Sequence, residues 1–411
     1  MSSKLLFGNC AELRSEKVDP KSSQESYYVG LEHIEQQTLS LVGHGYGSDV
    51  DSQKQRFYEG DILFGKLRPY FRKVVVAPFD GICSTDIWVV KPKVGVDRNF
   101  LFYWMASEEF IASSMYASEG GRMPRAKWDW VCKFQSEYFT FDEQTAIGKI
   151  LRVLDQKIAA NNSLSKTLED ISQTIFKSWF IDFDPAKAKM AGEKPAGMDA
   201  ATVELFPEAM EESELGLVPS GWKVEKFGEV NNLLMGQSPP GDTYNSEGEG
   251  LPFYQGRTDF GFRFPKQRIF CTQENRVALP GETLVSVRAP VGDINQAIEK
   301  CIIGRGVASA LHKSNSAAYT FSLVRSLYPR LAYYNGEGTV FGAINRSDFN
   351  NMPIVEPPAS LVESFEAICG PMNAKIRSLF LSTEALMQLR DSLLPRLISG
   401  ELQIPEEMLA S

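Results

Sequence analysis

The chain has 411 residues, 43% hydrophobic and 23% charged, so it is too apolar for disorder and long enough for two or three domains. Six cysteines without a CxxC pair and only three histidines argue against a disulfide scaffold or a clustered Cys/His zinc site. No apolar run reaches the roughly 18–20 residues of a membrane helix, and Met1–Cys10 lacks a signal-peptide core, so a reduced, cytoplasmic protein is expected. The net charge of −9 is unevenly spread: residues 1–140 hold 17 basic and 18 acidic side chains and 221–358 hold 14 and 13, while the rest carries the acidic excess. An acidic total does not exclude DNA when basic residues gather on one face.

In chain order, residues 1–140 read as a strand-rich block with short apolar runs at Val74–Val76 and Ile87–Val90. Lys66, Arg68, Arg72 and Lys73 crowd together with Phe64, Tyr70 and Phe71, and Arg122 and Arg125 form a second basic loop. Segment 141–185 carries a helix predicted from about Gln144 to Phe180, with Ile147, Leu151, Leu154, Ile158, Leu168, Ile171, Ile175 and Trp179 in alternating steps of three and four. Asn161 falls on its seam, where a polar residue sets register. The Ala/Glu/Pro-rich stretch 186–220 reads as a linker.

A second strand-rich block follows over 221–358, with Arg257, Arg263, Lys266, Arg268 and Arg276 in one stretch and Arg288, Arg305 and Arg346 at turn-like places. Segment 359–400 carries the second helix, predicted to start at Pro371 and to bend or end at Pro395. Its stripe is Met372, Ile376, Leu379, Leu386, Leu389 and Leu393, with Leu397 beyond; residues 401–411 are a C-terminal tail.

The two halves repeat. Gly60-Asp61-Ile62-Leu63 followed by Arg68-Pro69 matches Gly281-Glu282-Thr283-Leu284 followed by Arg288-Ala289-Pro290, and Trp128-Asp129-Trp130 matches Ser347-Asp348-Phe349. The helices align through Lys157-Ile158 with Lys375-Ile376, Leu168 with Leu386, Ile175 with Leu393, and Trp179 with Leu397. This pattern predicts an α+β protein in which two strand-rich modules are separated by two long antiparallel helices. Leu151, Leu154, Ile158, Leu168, Ile175, Trp179, Ile376, Leu386, Leu393 and Leu397 would form the helix pair or dock a partner.

Catalytic motifs are missing. There is no GxxxxGK[ST] loop, no GxGxxG and no GxSxG, and Asp184-Pro185 lacks the Pro-Tyr/Phe that would follow in a DNA methyltransferase. What remains is recognition chemistry. Lys66, Arg68, Arg72, Lys73, Arg122, Arg125, Arg257, Arg288, Arg305 and Arg346 are candidates to neutralise phosphates or, for the arginines, to read guanine. Two rival readings are a protein-binding scaffold with two blocks on a helical spacer, and an enzyme using carboxylates such as Asp86 and Asp129.

The stretch Phe176-Lys177-Ser178-Trp179-Phe180-Ile181-Asp182-Phe183-Asp184-Pro185 resembles the central region of type I restriction–modification specificity subunits. Pro195-Ala196-Gly197-Met198-Asp199, Leu205-Phe206-Pro207, Ser213-Glu214-Leu215-Gly216 and Pro219-Ser220-Gly221-Trp222 extend that likeness. Leu393 to Leu402 is similar to the family's distal region, and Arg122-Met123-Pro124-Arg125-Ala126 with Trp128-Asp129 to the close of a target recognition domain. Phe141-Asp142-Glu143-Gln144 departs from the family in lacking a preceding Pro-Pro-Leu, and Ser360-Leu361-Val362-Glu363 in lacking Glu-Gln. The resemblance implies two target recognition domains reading a split DNA sequence, and helices that act as spacer and as dock for two modification subunits. It also implies no cofactor in this chain: S-adenosylmethionine would lie on the modification subunits, and ATP and Mg2+ on restriction subunits.

Overall fold

Thr140 and Glu143 form a capping box, the Glu143 carboxylate accepting from the Thr140 N–H (2.7 Å) and the Thr140 hydroxyl from the Glu143 N–H (3.3 Å). That box starts the first long helix at Phe141, three residues before the expected start at Gln144, and it continues to Phe180. The second long helix runs from Ala359 to Ile398. Both are 40 residues long, and the offset between them is the same at both ends (141 to 359, 180 to 398). Pro371 is therefore interior rather than first, and Pro395 neither ends nor breaks the helix before Ile398. Gly370 before Pro371 has no Cβ to clash with the ring, which removes much of the usual obstacle to a helical residue there.

The computed structural model describes residues 4–116, 123–335 and 342–409. The chain divides into two units, 1–161 with 382–411 and 162–381, so each unit contains one strand-rich block and a part of each long helix. No described helix is long and apolar enough to cross a membrane.

In the first unit a four-stranded sheet has the order Ala11–Leu13, Ile87–Pro92, Ile62–Gly65, Val74–Val76. Its counterpart in the second unit is Asn231–Met235, Val307–His312, Thr283–Val287, Val291–Gln296, in the same order. A five-stranded sheet accompanies each. Three adjacent strands correspond: Lys54–Phe57, Gly81–Cys83 and Tyr27–Val29 at the centre of one sheet, and Val277–Ala278, at the edge, with Cys301–Ile303 and Leu251–Tyr254 in the other. In both blocks the second and third of these pair in parallel. A two-strand antiparallel closure joins the start and end of each block, Lys4–Leu6 with Gln135–Glu137 and Lys223–Lys226 with Pro353–Glu356. The duplication predicted from the sequence is thus present in strand order, strand sense and helix length.

Each block packs on its share of the helices. In the first unit Phe7, Phe100, Trp104 and Phe110 share a core with Ile147 and Leu151 of the first helix and Leu394, Leu397 and Ile398 of the second. A side chain at Gly148 would bring its Cβ within 2.7 Å of the Asp97 carboxylate and 2.8 Å of Asn99, so glycine permits the close approach of the helix Arg98–Ala106. In the second unit Phe176, Trp179 and Phe180 stack among Phe206, Trp222, Tyr319 and Phe365. The helices run antiparallel in both units. Asp155 meets Arg390 and Asn161 meets Ser382 and Thr383 in the first; in the second, Leu168 clusters with Ile376 and Phe380, and the Ser172 hydroxyl lies 3.5 Å from Met372 Sδ.

Several expectations change. Segment 186–220 is not a free linker. It forms the helices Asp184–Met190 and Ala200–Glu204 and a hairpin of Met210–Ser213 with Gly216–Pro219, it places Phe206 and Val218 in the second unit's core, and Ala186 is also buried. Ile171 and Leu389, counted in the apolar stripes, are exposed. Their places along the seam are taken by polar groups: Asn161, Ser165, Glu169, Thr383 and Arg390 are all buried. Leu154, Ile158, Leu168, Ile175, Leu386 and Leu393 are half-buried, while Leu151, Trp179, Ile376 and Leu397 are buried.

Arg390 is 1% exposed, and its guanidinium bonds Asp155 (2.9 Å) and Asp391 (2.9 Å). The second Asp155 oxygen accepts from the Tyr103 hydroxyl of the block. Burial, then the Asp155 charge, pushes the Tyr103 hydroxyl far above the ordinary tyrosine range, so it stays a donor. Replacing Asp155 by Ala leaves a buried arginine short of a partner and is expected to cost about 3 kcal/mol. Chemical denaturation should show that loss for Asp155→Ala, and near wild-type stability for Asp155→Leu combined with Arg390→Met. An equal loss in the double variant would contradict the burial argument.

Candidate nucleic-acid interface

In the first block the strand Ile62–Gly65 runs out at Lys66, where the chain pairs with a distant segment. The Ala126 N–H donates to the Lys66 carbonyl (2.9 Å), the Arg68 N–H donates to the Pro124 carbonyl (2.7 Å), and Leu67 and Arg125 face each other across the rung. Arg68 and Arg72 then flank the turn Pro69–Phe71, both with left-handed backbones (φ 51° and 50°) that are strained for non-glycine residues. The hairpin returns through Val74–Val76.

This geometry sorts the basic cluster. Lys66, Arg68 and Arg125 are brought together by the ladder, and Lys127 follows on the exposed side. Arg125 pairs through Nε with Asp86 (3.1 Å) and is half exposed. Arg72 turns the other way. Burial lowers its pKa, and the charges it feels are those of Asp391, Arg390, Glu108 and Asp155. Together with Gln37, Tyr70, Glu108 and Asp391 it lines a cavity of about 480 Å³. Lys73 is a strut: its ammonium donates to the Leu31 carbonyl (2.5 Å), and burial lowers its pKa. Lys66 and Arg68 are themselves half-buried, so of the expected cluster only Arg125, with Lys127 beside it, is exposed, and Arg72 and Lys73 are engaged elsewhere. Arg122 lies outside the described residues.

The second block repeats the ladder. Strand Thr283–Val287 ends at Arg288, which faces Ala343; the Ile344 N–H donates to the Val287 carbonyl (3.1 Å) and the Ala289 N–H to the Gly342 carbonyl (3.1 Å). Arg288 is exposed. The backbone pairing makes Ala289, not Arg288, the counterpart of Arg68, and both have positive φ before a proline. The two Arg/Pro motifs are therefore one residue out of step, and Leu67 occupies the place of Arg288. Arg305 is exposed in the turn after Cys301–Ile303, its N–H donating to the Ser238 hydroxyl (3.3 Å), and Arg346 is exposed as the first residue of the helix Arg346–Asn350. Arg257 is exposed but paired with Asp293.

Arg263 was grouped with the exposed basic stretch by its sequence neighbours, yet it is buried. Its guanidinium bonds Glu169 (2.8 Å), Gln296 (3.4 Å) and Asn373, and lies 3.2 Å from the Phe321 ring centroid. Burial pulls its pKa down to about 10 against the opposing pull of Glu169, so it remains charged at neutral pH. Arg325 also pairs with Glu169. The residues that composition missed, Tyr103, Asp155, Glu169 and Arg390, had one signal in the sequence. Between Ile158 and Leu168 the apolar stripe lapses at Asn161 and Ser165, marking a polar seam.

Among the described residues, no group of three or more His, Cys, Asp or Glu side chains is placed to hold a metal ion. The exposed chemistry of both blocks is a backbone-fixed rung with arginine on it, surrounded by turn residues that carry positive charge.

No family model matches the chain. The MjaX type I restriction enzyme specificity subunit of Methanocaldococcus jannaschii is 28% identical over 363 residues, spanning 84% of this chain and 79% of that protein. The HindI specificity subunit of Haemophilus influenzae is 24% identical over 85% of this chain and 88% of its own length. The crystal structure of the type I restriction–modification S subunit from M. genitalium superposes with a TM-score of 0.57 at 14% identity, covering 97% of this chain and 96% of that one, a likeness of fold. The chain is thus similar in sequence, along most of its length, to specificity subunits of type I restriction enzymes, and it shares the fold of the M. genitalium S subunit.

Proposed function

We propose that this chain is the DNA specificity subunit of a type I restriction–modification complex, reading a two-part target with its two blocks. The observation that carries this is the duplicated rung. Two copies of one framework, differing in the side chains they present, are suited to two different half-sites. The chain is non-catalytic and works through partners: modification subunits, two of them, that bind S-adenosylmethionine and methylate adenine, and restriction subunits that use ATP and Mg2+. A cytoplasmic location fits this role. In this reading Lys66, Arg68, Arg125, Arg288, Arg305 and Arg346 would meet DNA, the lysine and the turn arginines contacting phosphate.

Replacing block 1–140 with that of a relative, in cells that also express the modification subunit, tests the division of labour. Mapping of methylated adenines should show one half of the target changed and the other half, in 221–358, retained. Changes in both halves would refute independent reading. A protein-binding scaffold would give no sequence-specific methylation at all.

The helices supply the gap between half-sites in this reading. Both are continuous and antiparallel, so lengthening one alone puts Asp155–Arg390 out of register with Ser172–Met372. Four residues inserted after Asn162 together with four after Leu381 add about 6 Å to each helix and about 1.1 turns, keeping the stripes close to phase. This paired insertion is expected to widen the methylated target by about two base pairs of gap, at roughly 3.4 Å per base pair, with both halves kept. The single insertion after Asn162 is expected to abolish assembly. An active paired variant with an unchanged gap would show that the helices are not the spacer.

A further inference from the structure

We propose that the rung Leu67–Arg125 in the first block, and its counterpart Arg288–Ala343 in the second, each present an arginine that reads one guanine, with Asp86 as the positioning residue of Arg125. This inference rests on the specificity-subunit reading and deepens it by naming the base and the residue.

At the rung both blocks hold a basic residue within the same pair of backbone bonds. Pro124–Ala126 is held to Lys66–Arg68 as Gly342–Ile344 is held to Val287–Ala289, donor for donor. The arginine comes from opposite sides of the rung in the two blocks, Arg125 from the later segment and Arg288 from the earlier one. Each is exposed on a platform whose Cα positions are set by the ladder rather than by a free turn.

Asp86 sharpens this at Arg125. Its carboxylate accepts from Nε at 3.1 Å, which leaves both terminal nitrogens for the O6 and N7 of guanine. Asp86 is itself fixed: its carbonyl accepts from the Lys66 N–H (2.9 Å), and its N–H donates to the Ser84 hydroxyl (3.2 Å). Three cations of the two blocks that the sequence groups with them are committed elsewhere. Lys73 holds a carbonyl, Arg268 pairs with Asp259, and Arg263 is buried on Glu169. Arginine matches guanine through a planar fork, whereas a lysine at the same place retains the charge that a phosphate needs and loses the fork.

The test is methylation mapping of the assembled complex with Arg125→Lys, Arg288→Lys and Asp86→Asn. With the wild-type chain, one guanine in each half is expected to be strictly required. Arg125→Lys should relax that position in one half by about 5- to 150-fold, and Arg288→Lys the corresponding position in the other half. Asp86→Asn should relax the same position as Arg125→Lys, to a smaller extent, with total methylation kept. A variant that loses methylation altogether is scored instead by selection from a randomised duplex pool, where the same relaxation is expected. Unchanged stringency in both lysine variants, with the split pattern intact, overturns the rung while leaving the specificity reading in place. Absence of any split pattern with the wild-type chain overturns both.

Discussion

In each unit the strand-rich block is joined to the long helices by an arginine neutralised out of water. Arg390 on the second helix reaches Asp155 on the first, and Asp155 in turn takes a hydrogen bond from Tyr103 in the block. In the second unit the arginine comes from the block itself, Arg263 bonding Glu169 on the first helix and Asn373 on the second. Such pairs add little stability compared with a well-packed apolar substitute, but they tolerate few geometries, because any slip leaves a charge buried without its partner. They therefore fix how a block sits on its share of the helices more strictly than the surrounding aromatic core does.

That constraint explains how the two blocks can keep one frame while their presented surfaces differ. The sheets, the closing strand pairs and the 40-residue helices repeat. The side chains at the rung do not, with Leu67 and Arg125 facing each other in one block and Arg288 and Ala343 in the other. Variation in those positions leaves the buried ionic contacts untouched. Phe176, Trp179 and Phe180, in the stretch that carries much of the family likeness, are core, with Phe176 and Phe180 against Tyr319 and Phe365. It reports the scaffold and not the surface that the blocks present.

The duplication and both helices were legible in the sequence because they rest on periodicity and on a repeated offset, which survive without tertiary information. The start at Phe141 was also written there, as Thr140 followed three residues later by Glu143. Pro371 misled because proline favours a first turn, while the preceding glycine here lets it sit inside. Ile171 and Leu389 matched the stripe but face outward, since the seam at that level is filled by the polar side chains of Ser165, Glu169 and Arg390. Arg72 and Arg263 were indistinguishable from surface cations until the fold placed carboxylates beside them. Linear clustering of charge reports composition; whether a guanidinium faces water or an acid depends on residues far away in the chain. Glu169 and Arg263 are such a pair.

Native-state hydrogen exchange on the full chain, wild type and Arg263→Met, tests this coupling most directly. If the buried arginine makes block and helix one cooperative unit, amides of Thr283–Val287 and Val291–Gln296 and those of residues 165–176 will open with a common free energy in the wild type. They will then fall together, by the same amount, in the variant. Strand amides that keep their protection while the helix amides lose theirs would contradict the account.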